Sequence, residues 1–228
     1  MTGRLRPEVV VFDVVETLAS LDPVAARLAE HGLGEHVLGA WFSRLLRDGM
    51  ALTAAGGYAG FADVARSALK AETRAALTDD QIELVVDAFG ELTPQPDAVA
   101  ALRTARAAGM RVFTLTNGAA ATTKRFLERA GIAGEVEQVL AIDEVRAWKP
   151  AAAPYEHAVA KSGVPAERVA LVAVHSWDIY GARRAGLTTG WSPRLEGAPI
   201  DVFGSADITA DTLDGVIAGL AALPQAKE

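Results

Sequence analysis

The sequence predicts an α/β fold in which a mostly parallel sheet is interrupted by one inserted helical domain. Three patterns support this: strand and helix signals alternate in the C-terminal part of the chain, a single strand signal precedes them at residues 9–12, and only helical periodicity lies between. Such alternation favours right-handed βαβ units around a parallel sheet. We therefore predict a Rossmann-like core of residues 1–18 and 93–228, with a helical domain of residues 19–92.

The composition limits the classes of partner. A formal net charge of −7 over 228 residues argues against binding to a polyanion such as nucleic acid. The sequence shows neither a signal-peptide pattern nor an apolar segment long enough to span a membrane. Cysteine is absent, which excludes disulfides and thiolate chemistry and fits a reducing compartment. We expect a cytoplasmic protein that acts on a small molecule.

The first strand ends in a carboxylate. Residues 9–12 are consecutive apolar residues, as in a central strand that is covered on both faces. Asp13 follows directly, and Thr17 comes four residues later. Ligands of open α/β sheets collect beyond the carboxyl ends of the strands, so Asp13 is expected to face a crevice. An ordinary turn aspartate is the alternative interpretation.

The helical insertion is predicted from four stripes of apolar residues at helical spacing. The first helix should begin with Asp22 as N-cap and Pro23 in its first turn, and the fourth should begin after Asp79 and Asp80. Phe42 lies in the second stripe and Phe61 in the third. Core packing explains most of these apolar positions.

From residue 96 onward, the sequence alternates between helix and strand. Glycine follows three of the predicted helices, at residues 109, 131 and 163, where it favours helix termination. The predicted strands cover residues 111–115, 138–142, 169–174, 187–191 and 207–209, and the predicted helices cover residues 97–106, 120–130, 154–161 and 213–220.

Polar side chains follow four successive strands, at the edge where parallel sheets place their ligands. They are Asp13 with Thr17, Thr116 with Asn117, Lys149, and His175 with Asp178. Each of these has an ordinary explanation as a turn, capping or solvated residue. Together they supply a carboxylate nucleophile with the cation and hydrogen-bond donors that it needs.

In this order, the residues resemble the motifs of the haloacid dehalogenase superfamily of hydrolases. That pattern has a nucleophilic aspartate at the end of the first strand with a threonine four residues on, matched by Asp13 and Thr17. It continues with a Ser or Thr after the next strand, a lysine and an acidic strand end, matched by Thr116, Lys149 and Asp178. The resemblance covers nearly the whole chain and implies that the helical insertion is the family's cap domain.

The first motif separates two branches of this superfamily. Phosphatases carry a second aspartate two residues after the nucleophile as general acid, whereas this chain has Val15, which cannot donate a proton. The segments Thr116-Asn117-Gly118, Lys149-Pro150 with Tyr155, and Trp177-Asp178 with Gly181-Ala182 resemble those of the 2-haloacid dehalogenase branch. This pattern favours dehalogenation over phosphoryl transfer.

The resemblance implies hydrolysis of a haloacetate or L-2-haloacid to a 2-hydroxy acid and halide, without a metal or other cofactor. Asp13 would attack C2 and form an aspartyl ester that water hydrolyses. Lys149 would lower the pKa of the nucleophile, and Asp178 would orient Lys149. Thr17, Thr116 and Asn117 would fix the carboxylates. The residues expected to contact the substrate are Val14, Val15, Asn117, His175, Trp177, Phe42, Phe61 and Tyr155.

Four positions depart from the dehalogenase pattern. Phe42 replaces the arginine that receives the halide, Val15 replaces an aromatic residue, His175 replaces an asparagine, and Glu16 replaces a glycine without a functional account. His175 is either a neutral donor to substrate or halide, or a packed strand-end residue. The alternatives to a dehalogenase are a magnesium-dependent small-molecule phosphatase and a catalytically idle relative that binds a carboxylate. A homodimer is plausible from the cap helices.

Overall fold

The computed structural model describes residues 4–225, and the outermost residues of the predicted core, 1–3 and 226–228, lie outside that range. The strands are β1 (Val9–Phe12), β2 (Ala19–Ser20), β3 (Thr93–Pro94), β4 (Arg111–Thr116), β5 (Gln138–Ala141), β6 (Val169–Ala173), β7 (Thr188–Trp191) and β8 (Ile208–Thr209). The helices are α1 (Asp22–Glu30), α2 (Glu35–Ala54), α3 (Phe61–Glu72), α4 (Asp79–Asp87), α5 (Ala98–Ala107), α6 (Ala120–Arg129), α7 (Ala152–Ser162), α8 (Ser176–Arg184) and α9 (Leu213–Ala221).

Six of the strands form one parallel sheet in the order β5-β4-β1-β6-β7-β8. The predicted α/β class with a mostly parallel sheet is therefore confirmed. The chain fills one side of β1 with β4 and β5 and then crosses to the other side with β6, β7 and β8. The strand order thus reverses at β1, and a reversal of this kind opens a crevice beyond the carboxyl end of the strand. Asp13 lies at that point.

The sequence of β1 is apolar throughout because both faces of the strand are covered. Val10 and Phe12 belong to a hydrophobic cluster that includes residues of α5 and α9, whereas Val9 and Val11 pack with residues of α7 and α8. All four side chains have an exposed fraction of 0%. Alternate residues of a strand point to opposite faces, so an unbroken apolar run satisfies both layers.

Helices α1 to α4 lie between β2 and β3, which pair with each other as a two-stranded antiparallel ribbon. Two helices begin earlier than predicted, α1 by one residue and α4 by two. Helix α1 begins at Asp22 itself, and the Asp22 backbone N–H donates to Ser20 Oγ. Helix α4 begins at Asp79, because Thr78 and Gln81 form a capping box there. The division of the chain into domains at residues 18 and 92 stays a prediction.

Trp148 connects the helical insertion to the loop that carries Lys149. Its ring is fully buried, stacks on Phe61 at 5.9 Å between centroids, and donates its Nε1–H to the Ala59 carbonyl at 3.0 Å. A Cβ at Gly49 on α2 would come within 2.3 Å of this ring. The insertion is therefore packed directly against the segment that positions the lysine. Within residues 4–225, no helix has the length and apolarity to cross a membrane.

Candidate active site

Asp13 and Asp178 share one buried ammonium group. Lys149 Nζ donates to Asp13 Oδ1 at 2.8 Å and to Asp178 Oδ2 at 2.6 Å. Lys149 and Asp178 have an exposed fraction of 0%, and Asp13 has 5%. The three side chains come from the end of β1, the loop after β5 and the first turn of α8. Only the sheet topology brings them together, as predicted from their positions at strand ends.

Neighbouring groups fix the lysine and the far side of Asp178. Lys149 Nζ also donates to the Leu115 carbonyl at 3.1 Å, and Asn117 Oδ1 accepts from the Lys149 backbone N–H at 3.0 Å. The Tyr155 hydroxyl donates to Asp178 Oδ1 at 2.6 Å. Asp178 therefore accepts hydrogen bonds at both oxygens. The Lys149 ammonium is held by three acceptors.

These charges set the protonation states. Burial alone would raise the pKa of Asp13, but the Lys149 ammonium and the His175 ring hold it well below its usual range. Burial would lower the pKa of Lys149, but the Asp13 and Asp178 carboxylates raise it above its ordinary value. Burial and the adjacent Asp178 raise the pKa of Tyr155 well above 10, so the hydroxyl remains a donor. Asp13 is an ionised carboxylate beside a protonated lysine, as a nucleophile requires.

Asp13 Oδ2 has a separate set of donors. Thr17 Oγ1 donates to it at 2.7 Å and accepts from the Val174 backbone N–H at 3.2 Å, so the hydroxyl hydrogen points at Asp13. His175 Nδ1 lies 3.2 Å from the same oxygen. Asp13 Oδ1 contacts Lys149, whereas Oδ2 accepts from two groups.

His175 lies between two carboxylates. Its Nε2 is 2.9 Å from Glu16 Oε2, and 7% of its side chain is exposed. Burial alone would lower the pKa of His175, but the hydrogen bonds to Asp13 and Glu16 raise it from 6.5 to about 10. The ring is packed, as one of the two interpretations expects, but the raised pKa favours a charged imidazolium over a neutral donor to the substrate.

Glu16 is the site residue that sequence reasoning missed. It adopts a left-handed backbone conformation with φ of 65°, which non-glycine residues rarely take. The sequence did contain a signal. Two residues that differ from the dehalogenase pattern, Glu16 and His175, can carry opposite charges and follow the ends of two strands. Their pairing became visible only once β1 and β6 were known to be neighbours.

A small cavity of about 10 Å³ opens at Asp13, with room for roughly one water molecule. Six of the predicted substrate residues line it, namely Val15, Phe42, Phe61, Asn117, His175 and Trp177. Thr116 lines it as well, and its Oγ1 accepts from the Gly118 backbone N–H at 2.9 Å. Val14, Val15, Phe61 and Thr116 border a larger cleft of about 460 Å³ between the insertion and the core.

The prediction that Tyr155 contacts the substrate is not supported by its position. Its side chain is fully buried behind Asp178 and lines neither of these two cavities. The hydroxyl is already bound to Asp178 Oδ1. Tyr155 therefore acts on the site through Asp178.

Helix α2 brings no arginine to the small cavity. Phe42 is buried and stacks on Phe89 at 6.4 Å, while Arg44 pairs with Glu72 at 2.7 Å and Arg47 pairs with Asp48 at 2.7 Å. The positive charge around Asp13 comes from Lys149 and His175 instead. Among residues 4–225, no three or more His, Asp and Glu side chains are grouped so that they could hold a metal ion.

Comparisons with known proteins agree with this geometry. A family model described as haloacid dehalogenase-like hydrolase matches residues 7–186. Haloacetate dehalogenase H-2 of Moraxella sp. (strain B) is 26% identical over 92% of this chain and 96% of its own length. (S)-2-haloacid dehalogenase H-109 of Pseudomonas putida is 28% identical over 87% of this chain and 90% of its own. A solved L-2-haloacid dehalogenase superposes with a TM-score of 0.88 at 28% identity, covering 95% of this chain and 99% of that chain.

Proposed function

The chain belongs to the haloacid dehalogenase-like hydrolase family, which confirms the resemblance found in its sequence, and we propose that it dehalogenates short 2-haloalkanoic acids. The products are a 2-hydroxy acid and halide, formed from haloacetate or an L-2-haloacid without a metal. The observation that carries this proposal is the Asp13 carboxylate, which pairs with Lys149 Nζ at 2.8 Å and faces a cavity lined by Val15, Phe42 and Phe61. The names of the curated relatives support the same substrate class.

In the first step, Asp13 attacks C2 of the substrate. Oδ2 accepts hydrogen bonds from Thr17 and His175, whereas Oδ1 accepts only from Lys149 among the contacts of the described residues. Oδ1 therefore has the free lone pair for in-line displacement. The C2–halogen bond breaks as the Oδ1–C2 bond forms, which inverts C2 and gives an aspartyl ester. Water then hydrolyses the ester at its acyl carbon.

The polar groups around the small cavity suit one carboxylate, and the substrate would extend into the larger cleft, because Val15, Phe61 and Thr116 line both spaces. Thr116 Oγ1 accepts from Gly118 and keeps its hydroxyl hydrogen for a substrate oxygen. Asn117 uses its side-chain carbonyl for the Lys149 backbone, which leaves its amide nitrogen as a donor at the cavity wall. The apolar side chains of Phe42 and Phe61 exclude water from the displacement.

A magnesium-dependent phosphatase is the less favoured function. Val15 supplies no proton to a leaving alcohol, and Lys149 already bonds both Asp13 and Asp178, the carboxylates that would serve a cation. A catalytically idle relative would bind a carboxylate in the same cavity but would release no halide.

The test is halide release from chloroacetate and L-2-chloropropionate in the presence of EDTA, with Asp13→Asn as the control. We expect release by the wild-type protein and none by D13N. Turnover in water enriched in heavy oxygen should place the label in the Asp13 side chain, because the ester is cleaved at the acyl carbon. Hydrolysis of phosphate esters that stops with EDTA, together with no halide release, would refute the proposal.

A further inference from the structure

Both ring nitrogens of His175 lie within hydrogen-bond distance of a carboxylate oxygen, so both are placed to donate. Asp13 Oδ2 lies 3.2 Å from Nδ1, and Glu16 Oε2 lies 2.9 Å from Nε2. Asp13 is ionised, so it cannot donate to a neutral ring nitrogen. The ring is buried, with Trp177 packed beside it at 5.0 Å between centroids. His175 is therefore an imidazolium fixed between two carboxylates.

This arrangement excludes two common roles of histidine. A ring with both N–H groups engaged has no lone pair with which to deprotonate water. It also has no free N–H for a departing halide. The role left to His175 is to stabilise negative charge and to donate a hydrogen bond to Asp13 Oδ2, the oxygen that does not attack.

We propose that His175 is a catalytic residue of ester hydrolysis, and that with Thr17 it forms an oxyanion hole for Asp13 Oδ2. The inference rests on the proposed function. Once Oδ1 has been alkylated, Oδ2 is the ester carbonyl oxygen and still faces the His175 Nδ1–H and the Thr17 hydroxyl. Water bonds to Cγ, and the carbonyl electron pair moves to Oδ2, where both donors stabilise the new charge.

Collapse of this intermediate completes the reaction. The electron pair returns from Oδ2, and the Cγ–Oδ1 bond breaks. Oδ1 leaves as the oxygen of the 2-hydroxy acid and takes one proton derived from the water. The second proton is released as Asp13 becomes a carboxylate again, now with one oxygen from water.

Glu16 is a positioning residue that orients the His175 ring. Its backbone carbonyl accepts from Gln95 Nε2 at 3.2 Å and from an Arg194 guanidinium nitrogen at 2.9 Å, which holds the left-handed conformation. That conformation places the Glu16 carboxylate on Nε2 of His175. The carboxylate keeps the ring charged and its Nδ1–H directed at Asp13 after Asp13 has lost its own charge to the ester.

The test separates the two half-reactions with bromoacetate, whose bromide leaves readily. In His175→Ala, which removes the donor altogether, a rapid-quench experiment should show one bromide per active site at a rate within about tenfold of wild type, followed by turnover slowed about 10²- to 10³-fold. Intact-protein mass spectrometry should show the ester on Asp13 accumulating. The matched control is His157→Ala, which removes a partly exposed histidine that lies 3.1 Å from Glu144, and it should leave both phases unchanged.

Glu16→Gln provides a second, milder variant that keeps a hydrogen-bond acceptor without the charge. It should show the same burst and a smaller loss of turnover, about tenfold, with Glu144→Gln as its control. Equal slowing of both phases in H175A and E16Q, with no ester accumulation, would overturn this inference and leave the dehalogenase proposal standing. If H175A does not fold, the bromide burst and the ester accumulation in E16Q decide between the two outcomes. Absence of bromide release by the wild-type protein would overturn the proposed function, and this inference with it.

Discussion

Two hydrogen-bonded networks reach Asp13 from opposite sides and differ in depth. The inner network, Tyr155–Asp178–Lys149, ends on Oδ1, and all three residues are fully buried. The outer network, Glu16–His175, ends on Oδ2, and 22% of the Glu16 side chain is exposed. The inner network provides the permanent counter-charge of the nucleophile. The outer network lies at the cavity, where it can respond to the charge of the intermediate.

The largest effect is expected from breaking the inner network. Lys149→Met leaves two buried carboxylates without their cation, so the free energy of unfolding should fall by about 3–5 kcal/mol. Bromide release should fall at least about 10³-fold, because the nucleophile loses the group that keeps it ionised. Urea denaturation and rapid-quench bromide assays measure the two quantities.

The matched control is Lys161→Met, which changes an exposed lysine and should alter stability by no more than about 0.5 kcal/mol. A normal bromide burst in folded K149M would show that the inner network does not prepare the nucleophile.

The outer network should be visible in the pH dependence of stability. The folded-state pKa of His175, about 10, lies above its ordinary value of 6.5. Protonated His175 therefore stabilises the fold fully below pH 6.5, and this contribution is lost as the pH rises through about 10. The groups facing the ring are Asp13 and Glu16, with Lys149 behind Asp13.

Urea denaturation between pH 6 and pH 10 should show wild type losing about 2–4 kcal/mol more than His175→Asn. The rate of ester hydrolysis should fall over the same alkaline range, and Glu16→Gln should move that fall to lower pH. Parallel stability curves for wild type and H175N would contradict a charged His175.

Tyr155→Phe tests whether the far end of the inner network acts through Asp178 or on the substrate. Loss of the hydroxyl leaves a buried carboxylate oxygen without a donor, so the free energy of unfolding should fall by about 1–3 kcal/mol. The KM for chloroacetate should stay unchanged while kcat falls, because Tyr155 lines neither cavity. Steady-state kinetics separate the two constants. The control is Tyr180→Phe, at a partly exposed tyrosine. A raised KM in Y155F but not in Y180F would show that Tyr155 contacts the substrate after all.

The smallest effect is expected outside both networks, at Arg44. This residue lies two positions after Phe42, near the place where the family pattern carries its halide arginine, but it pairs with Glu72 on the surface of the insertion. Arg44→Met should change stability by about 0–1 kcal/mol and leave halide release unchanged. A large loss of halide release would show that α2 supplies a cation during turnover.

The inner network could be predicted in large part from the sequence. Asp13, Lys149 and Asp178 each follow a strand signal, and the carboxyl ends of parallel strands share one edge of the sheet. The sequence also predicts Tyr155 in the site, but its spacing from Lys149 does not show whether it contacts the substrate or Asp178. The fold class and the bounds of most helices and strands could be predicted from runs of apolar residues and from glycines at helix ends.

The outer network could not be predicted in the same way. Glu16 and His175 are separated by 159 residues and meet because β6 lies beside β1. Their contact also needs the left-handed backbone at Glu16, which Gln95 and Arg194 hold. No local pattern records either condition.

The sequence by itself determined where strands end and which chemical groups stand there, because apolar periodicity and turn residues act over a few neighbouring positions. The tertiary structure decided which of those groups share a proton or a charge. That choice depends on the strand order around β1 and on burial, since charges a few ångströms apart in a dry site shift each other's pKa values. Asp13 was visible in the sequence as a strand-end carboxylate, and its two unequal oxygens became visible only in the fold.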